Sequence, residues 1–178
     1  MSKDIQAVLA GFGGQGTLFA GKVIAYAGLI EDRYVSWFPS YGPEMRGGTA
    51  NCSVTLSVEP IGSPLVTEPD AVIAMNQPSY DKFVEEASSG AAVVFDSDLV
   101  EPGDSRSDIQ KIGIPAARIA QDAEMGKLAN IVLLGKLWSI THFCERATLD
   151  EAIKKCVPPS KAHLVDMNKR ALEMGIDA

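Results

Sequence analysis

Residues 5–16, Ile-Gln-Ala-Val-Leu-Ala-Gly-Phe-Gly-Gly-Gln-Gly, constrain the fold more than any other stretch of this chain. An apolar run ends in a glycine cluster, and a helical pattern starts directly after it. Gly11, Gly13 and Gly16 have Gly-x-Gly-x-x-Gly spacing, which lets a chain leave a strand, turn tightly and aim the free amides of a helix N-terminus at a phosphate. A Cβ at these positions would crowd the turn or the arriving anion. Ile5, Val8 and Leu9 read as a buried strand. Over residues 17–30, Leu18, Phe19, Val23, Ile24 and Ala27 recur at helical spacing. Two readings stay open: an anion site, or a turn that serves packing alone.

A chain of 178 residues can build a full core without disulfides, and residues 1–178 are expected to form a single domain. The formal net charge of −7 argues against a nucleic-acid surface, because a phosphate backbone would be repelled. It still permits a local anion site built from helix amides and one or two arginines. No signal peptide and no apolar run of membrane-spanning length is evident, so a cytoplasmic protein with no membrane contact is expected. Cys52, Cys144 and Cys156 lie far apart and include no Cys-x-x-Cys, so they suit neither an iron–sulfur cluster nor a zinc site. His142 and His163 have no partner at ligand spacing, and no metal is expected on this chain.

Strand and helix patterns then alternate. Residues 34–38 and 49–58 are strand candidates, separated by a Pro- and Gly-rich loop. Asp70–Asn76 and Ala91–Asp96 read as buried parallel strands closed by a polar residue. A helix between them begins near Pro78 with Asn76 as its cap. After Gly113-Ile114-Pro115 the chain turns helical, and Leu128–Phe143 is apolar on more than one face, as a buried helix should be. Thr148 with Glu151 forms a capping-box pattern for the next helix. Pro158-Pro159 stops that helix, Ser160 is a cap for the last one, and Gly175 is its expected end. The alternation predicts an α/β, Rossmann-like domain: a mostly parallel sheet flanked by helices.

Loop 40–48 is the second candidate site. Arg46 lies among Gly42, Gly47 and Gly48, where backbone approaches closely and a guanidinium grips an oxyanion. Glu44 either positions a ligand group or pairs with Arg46. A solvated surface turn is the alternative. A nicotinamide dehydrogenase would place Asp or Glu at the end of the second strand to hold the ribose. Here that strand runs into Trp37-Phe38-Pro39-Ser40, and Glu31 and Asp32 precede it, so that activity is not expected.

Gly11-Phe12-Gly13-Gly14-Gln15-Gly16, followed by Ser40-Tyr41-Gly42-Pro43-Glu44-Met45-Arg46-Gly47-Gly48-Thr49-Ala50-Asn51-Cys52, resembles the gamma subunit of 2-oxoacid:ferredoxin oxidoreductases, most of all the 2-oxoglutarate branch. Asp70–Asn76, Ile114-Pro115-Ala116, Asn130–Gly135 and Asn168 extend the similarity over nearly the whole chain. The resemblance implies a CoA-dependent oxidative decarboxylation of a 2-oxoacid to an acyl-CoA, succinyl-CoA for 2-oxoglutarate, with CO₂ and reduced ferredoxin as co-products. Branched-chain 2-oxoacids, pyruvate and indolepyruvate are the alternatives.

The reaction needs thiamine diphosphate with Mg²⁺ and iron–sulfur clusters. This chain has neither clustered cysteines nor a Gly-Asp-Gly with a following Asn-Asn pair. The resemblance therefore puts those cofactors on partner chains: alpha and beta subunits and a ferredoxin-like delta subunit, with ferredoxin as electron acceptor. No catalytic residue is expected here. Gly11, Gly13, Gly14, Gln15 and Gly16 are the candidates for contact with coenzyme A or another anion. Ser40, Tyr41, Gly42, Glu44, Arg46, Gly47 and Gly48 are the candidates for contact with a ligand or a neighbouring subunit. A pure scaffold role, without ligand contact, is the competing reading.

Overall fold

The computed structural model describes residues 4–40 and 49–178. Its strands are β1 (Ile5–Phe12), β2 (Tyr34–Ser40), β3 (Thr49–Ser57), β4 (Ala71–Ala74), β5 (Ala92–Asp96) and β6 (Gln110–Ile114). They form one sheet in the order β2-β3-β1-β4-β5-β6. Neighbours β1, β4, β5 and β6 are parallel, while β3 is antiparallel to both β1 and β2. The sheet is thus mostly parallel as expected, with β3 alone reversed. The reversal follows from chain length: β2 and β3 are too close in sequence for a crossover helix, so they pair as a hairpin.

The helices are α1 (Thr17–Ile30), α2 (Gln77–Glu86), α3 (Ala116–Asp122), α4 (Ala129–Thr141), α5 (Arg146–Cys156) and α6 (Leu164–Asp177). α1 packs on β1, β2 and β3, and α4 packs on β4 and β5. α5 and α6 form an outer layer against α1 and α4. The core on that face joins Leu9, Ile24, Leu56, Ile73, Leu133 and Leu172, among others. On the opposite face a smaller core gathers Val8, Val72 and Phe95 under α2 through Tyr80, Phe83 and Val84. Helices on both faces of β4 explain why all four of its residues are buried and apolar.

α1 and the cap of α2 fall where the sequence put them: the Asn76 side chain accepts from the Ser79 amide at 2.8 Å. Other boundaries need correction. β2 continues through Pro39 and Ser40 as an edge strand, where a proline's missing donor costs no ladder bond. β6 carries no clear strand signal in the sequence, because a short, half-exposed edge strand shows little hydrophobic alternation.

The helix expected at Thr148 starts two residues earlier, at Arg146, and Thr148 is buried inside it. Arg146 pairs with Asp150 and Glu173, and the Glu145 amide is taken by Glu31 Oε1 at 2.7 Å, so tertiary contacts fix the start instead of a capping box. Ser160 caps nothing. It lies in a 3₁₀ turn, Pro159–Lys161, and α6 begins at Leu164.

Gly175 does not end α6 either; the helix runs on to Asp177. A Cβ at Gly175 would stand 1.8 Å from the Val132 carbonyl oxygen, and one at Gly135 would stand 2.1 Å from that of Leu172. Both glycines exist so that α4 and α6 can touch backbone to backbone.

Candidate functional site

β1 delivers the glycine turn to the carboxyl edge of the sheet, and α1 leaves from it. Left-handed backbone falls on Gly14 (φ 92°) and Gly16 (φ 79°), not on Gly13. The five glycine-turn candidates divide by role. Gly11 is buried at the end of β1, where a Cβ would meet Gln15 Oε1 at 2.6 Å and Met75 Cβ at 3.0 Å. Gly16 abuts Asn130, whose Nδ2 donates to the Gly16 carbonyl at 2.9 Å. Gln15 folds inward: its Oε1 accepts from the Phe12 amide at 2.6 Å and its Nε2 donates to the Met75 carbonyl at 3.1 Å. That side chain ties the end of β1 to the end of β4. Gly13 and Gly14 remain exposed, and a Cβ at Gly14 would meet nothing within 4 Å.

Beside these two glycines opens a cavity of about 460 Å³, bounded by Gly13, Gly14, Gln15, Met75, Asp96 and Lys127, among others. It sits beyond the carboxyl ends of β1, β4 and β5, where open α/β sheets bind ligands. A second, more apolar recess of about 290 Å³ continues from it past Phe12, Met75, Pro78 and Leu99. Phe12 and Leu99 are 43% and 49% exposed, so the recess keeps an unfilled apolar rim.

Asp96 closes β5 and is fully buried. Its Oδ2 accepts from the Ala117 amide at 2.8 Å and its Oδ1 from the Asp98 amide at 3.0 Å. It therefore anchors the first turn of α3, which has no side-chain cap of its own. Burial raises the pKa of the Asp96 carboxyl, against the opposing pull of those two amides. Among the described residues that line the cavity, Lys127 is the one cation. Sequence reading noted only that β5 closes on a polar residue, and it missed Lys127. Neither has a local motif, because the cavity is assembled from strand ends and the α3–α4 connection.

Ser40 is the last residue of β2, exposed and opposite Asn51. Thr49 lies opposite Phe12. Both ends of the β2–β3 connection thus leave from the same carboxyl edge as the glycine turn. The candidates Tyr41, Gly42, Glu44, Arg46, Gly47 and Gly48 lie outside the described residues.

The three thiols are all buried, and burial pushes Cys52 up to about 12 and Cys156 to about 11, with Cys144 raised further still. Among the described residues no three His, Cys, Asp or Glu side chains are grouped to hold a metal. No described helix is long and apolar enough to cross a membrane.

Residues 6–178 match the family model described as pyruvate ferredoxin/flavodoxin oxidoreductase. The chain is 38% identical over 175 residues to ketoisovalerate oxidoreductase subunit VorA of Methanothermobacter thermautotrophicus, covering 98% of this chain but 36% of that protein. The chain thus spans about a third of that relative's length. It superimposes on the gamma subunit of a keto/oxoacid ferredoxin oxidoreductase from Geobacter sulfurreducens with a TM-score of 0.80 and 29% identity, covering 97% of this chain and 96% of that one. It also superimposes on a chain of the Magnetococcus marinus 2-oxoglutarate:ferredoxin oxidoreductase, solved with 2-oxoglutarate, coenzyme A and succinyl-CoA bound. There the TM-score is 0.86 and the identity 26%, over 99% of this chain and 31% of that one.

Proposed function

Since the chain belongs to the pyruvate ferredoxin/flavodoxin oxidoreductase family, we propose that it is the gamma component of a 2-oxoglutarate:ferredoxin oxidoreductase and that its carboxyl-edge cleft helps hold coenzyme A. In that reaction the bond between the 2-oxoacid's carbonyl and carboxylate carbons breaks and CO₂ leaves. The coenzyme A sulfur forms a thioester to the carbonyl carbon, a proton is released, and two electrons pass singly to two ferredoxins.

Thiamine diphosphate with Mg²⁺ and iron–sulfur clusters supply the carbanion and one-electron chemistry of such an enzyme. Among the described residues the thiols are buried and ungrouped, and no cluster of His, Cys, Asp or Glu offers a metal-ligand set. We assign those steps to alpha, beta and delta partners, as the family resemblance implies.

One observation carries the coenzyme A reading. The glycine turn opens directly onto a cavity of about 460 Å³, inside the size range of small-molecule sites. The exposed backbone of Gly13 and Gly14, in the turn that leads into α1, suits a pyrophosphate. Lys127 adds a point charge for a phosphate. The apolar recess beyond Met75 and Leu99 suits a thin, largely apolar arm.

The test is co-expression with partner chains that bear the thiamine and cluster motifs, followed by CoA-dependent ferredoxin reduction with 2-oxoglutarate, 2-oxoisovalerate and pyruvate. We expect 2-oxoglutarate to be preferred, and Lys127→Ala to raise the CoA KM with little change in kcat. Preference for 2-oxoisovalerate would transfer the chain to the branched-chain enzyme, a reading favoured by the VorA likeness. An unchanged CoA KM would favour the scaffold reading, which the inward-turned Gln15 and the packing at Gly11 and Gly16 also support.

A further inference from the structure

We infer that the outer face of the β2–β3 hairpin is a docking surface for the oxidoreductase polypeptide that makes up the rest of the longer relatives; this rests on the subunit reading above. Helices cover the sheet unevenly. Val35 and Trp37 of β2 face α1, as their closeness to Gly28 and Gly21 shows. Strand alternation therefore turns Tyr34, Ser36 and Phe38 to the opposite face. There, α2 packs over β1 and β4, and the outward Ser53 and Thr55 of β3 are buried, so the open part of this face is the edge strand β2. Tyr34 is left 52% exposed and Phe38 43%.

The chemistry of this face is that of an interface. Neither β2 (7 residues) nor β3 (9 residues) holds a charged side chain, although charged residues make up 22% of the chain. Loss of charge with exposed aromatics marks the centre of protein–protein interfaces. β2 is also the edge of the sheet, so one side of its backbone is unpaired by the sheet. Natural edges are usually guarded by lysines or other charges, and Pro39 is the single guard here.

The occupant follows from the lengths of the relatives. This domain accounts for 36% of the VorA relative and 31% of the Magnetococcus marinus chain. In both, one polypeptide carries this domain together with roughly twice as much further chain. An uncharged aromatic face on this domain fits that partner better than it fits solvent.

The test measures binding of this chain to the separately purified polypeptide corresponding to that remaining portion. The variant is Tyr34→Lys with Phe38→Lys. Leu65→Lys with Met167→Lys is the control, because those side chains are also exposed but lie off the hairpin. We expect the hairpin variant to keep the parent's circular dichroism and melting temperature while binding at least tenfold more weakly, with the control binding like the parent. Should the lysines unfold the chain, Tyr34→Ser with Phe38→Ser decides by the same comparison. Parental binding by the folded hairpin variant overturns the assignment of this face alone. Loss of a homodimer without loss of partner binding also overturns it, since the occupant is then a second copy. A parent chain that does not bind the polypeptide overturns the subunit reading as well.

Discussion

Asn130 Nδ2 donates to the Gly16 carbonyl at 2.9 Å, and a Cβ on Gly16 would stand 2.5 Å from the same nitrogen. The first turn of α4 thereby locks the exit of the glycine turn from 114 residues away. Gly14, two residues earlier, has comparable backbone but faces open space.

Gly14→Ala and Gly16→Ala should therefore differ. Both place a Cβ in left-handed backbone, at about 1–2 kcal/mol. Gly16→Ala must in addition displace Asn130, which lies buried, so it should lose about 1–3 kcal/mol more through overpacking. Gly14→Ala should instead raise the CoA KM of the assembled enzyme, because its methyl enters the cavity. Urea unfolding of the isolated chain and the KM for coenzyme A give the two readouts. Equal stability losses would show that Asn130 yields freely.

Gly175→Ala should destabilise the chain even though alanine is the better helix former. The propensity gain is about 1 kcal/mol. Against it, the new Cβ would sit 1.8 Å from a backbone oxygen of α4, which no side-chain rotation relieves. Forcing α4 and α6 apart should cost about 3 kcal/mol or more, net of that gain. Thermal unfolding decides, and a raised melting temperature would contradict the backbone-to-backbone contact.

Asp96→Asn should lower stability by about 1–3 kcal/mol at neutral pH, because the new NH₂ cannot accept from both the Ala117 and Asp98 amides. The pH dependence has a defined sign. A folded pKa raised by burial means that the folded chain holds the proton more tightly. That contribution is fully present below the unfolded pKa of about 4 and is lost as pH rises through the folded value. The gap between parent and variant should be widest in acid and narrow toward neutrality. A gap that grows with pH would mean that the amides outweigh desolvation.

The thiols should be inert in the native chain. With Cys156 at about 11 and Cys52 at about 12, roughly one thiolate in a thousand or fewer exists at pH 8, and burial blocks access. Ellman's reagent should titrate none of Cys52, Cys144 and Cys156 until denaturant is added. Because their protons are held more tightly in the folded state, stability should fall as pH rises above about 8.5, where unfolded thiols ionise. Rapid native labelling would show that the outer helices open.

The sequence alone determined the elements whose cause is local. The apolar run of β1, the glycine turn, the periodicity of α1 and the Asn76 cap with Pro78 behind it each follow from steric or hydrogen-bonding rules acting within a few residues. The unbroken apolar runs of β4 and β5 announced a parallel sheet covered on both faces. The tertiary structure decided whatever depends on partners distant in the chain. Arg146 starts α5 because Glu173 is near. Gly175 lies inside α6 because α4 presses on it. β6 is a strand because β5 pairs with it. The cavity has the same origin: Gly13 and Gly14 become its wall, while Asp96 and Lys127 join them from distant loops and Gln15 turns inward to Met75. Local pattern fixes backbone propensity over one or two turns, whereas side-chain roles at the carboxyl edge depend on which strand ends the sheet order brings together.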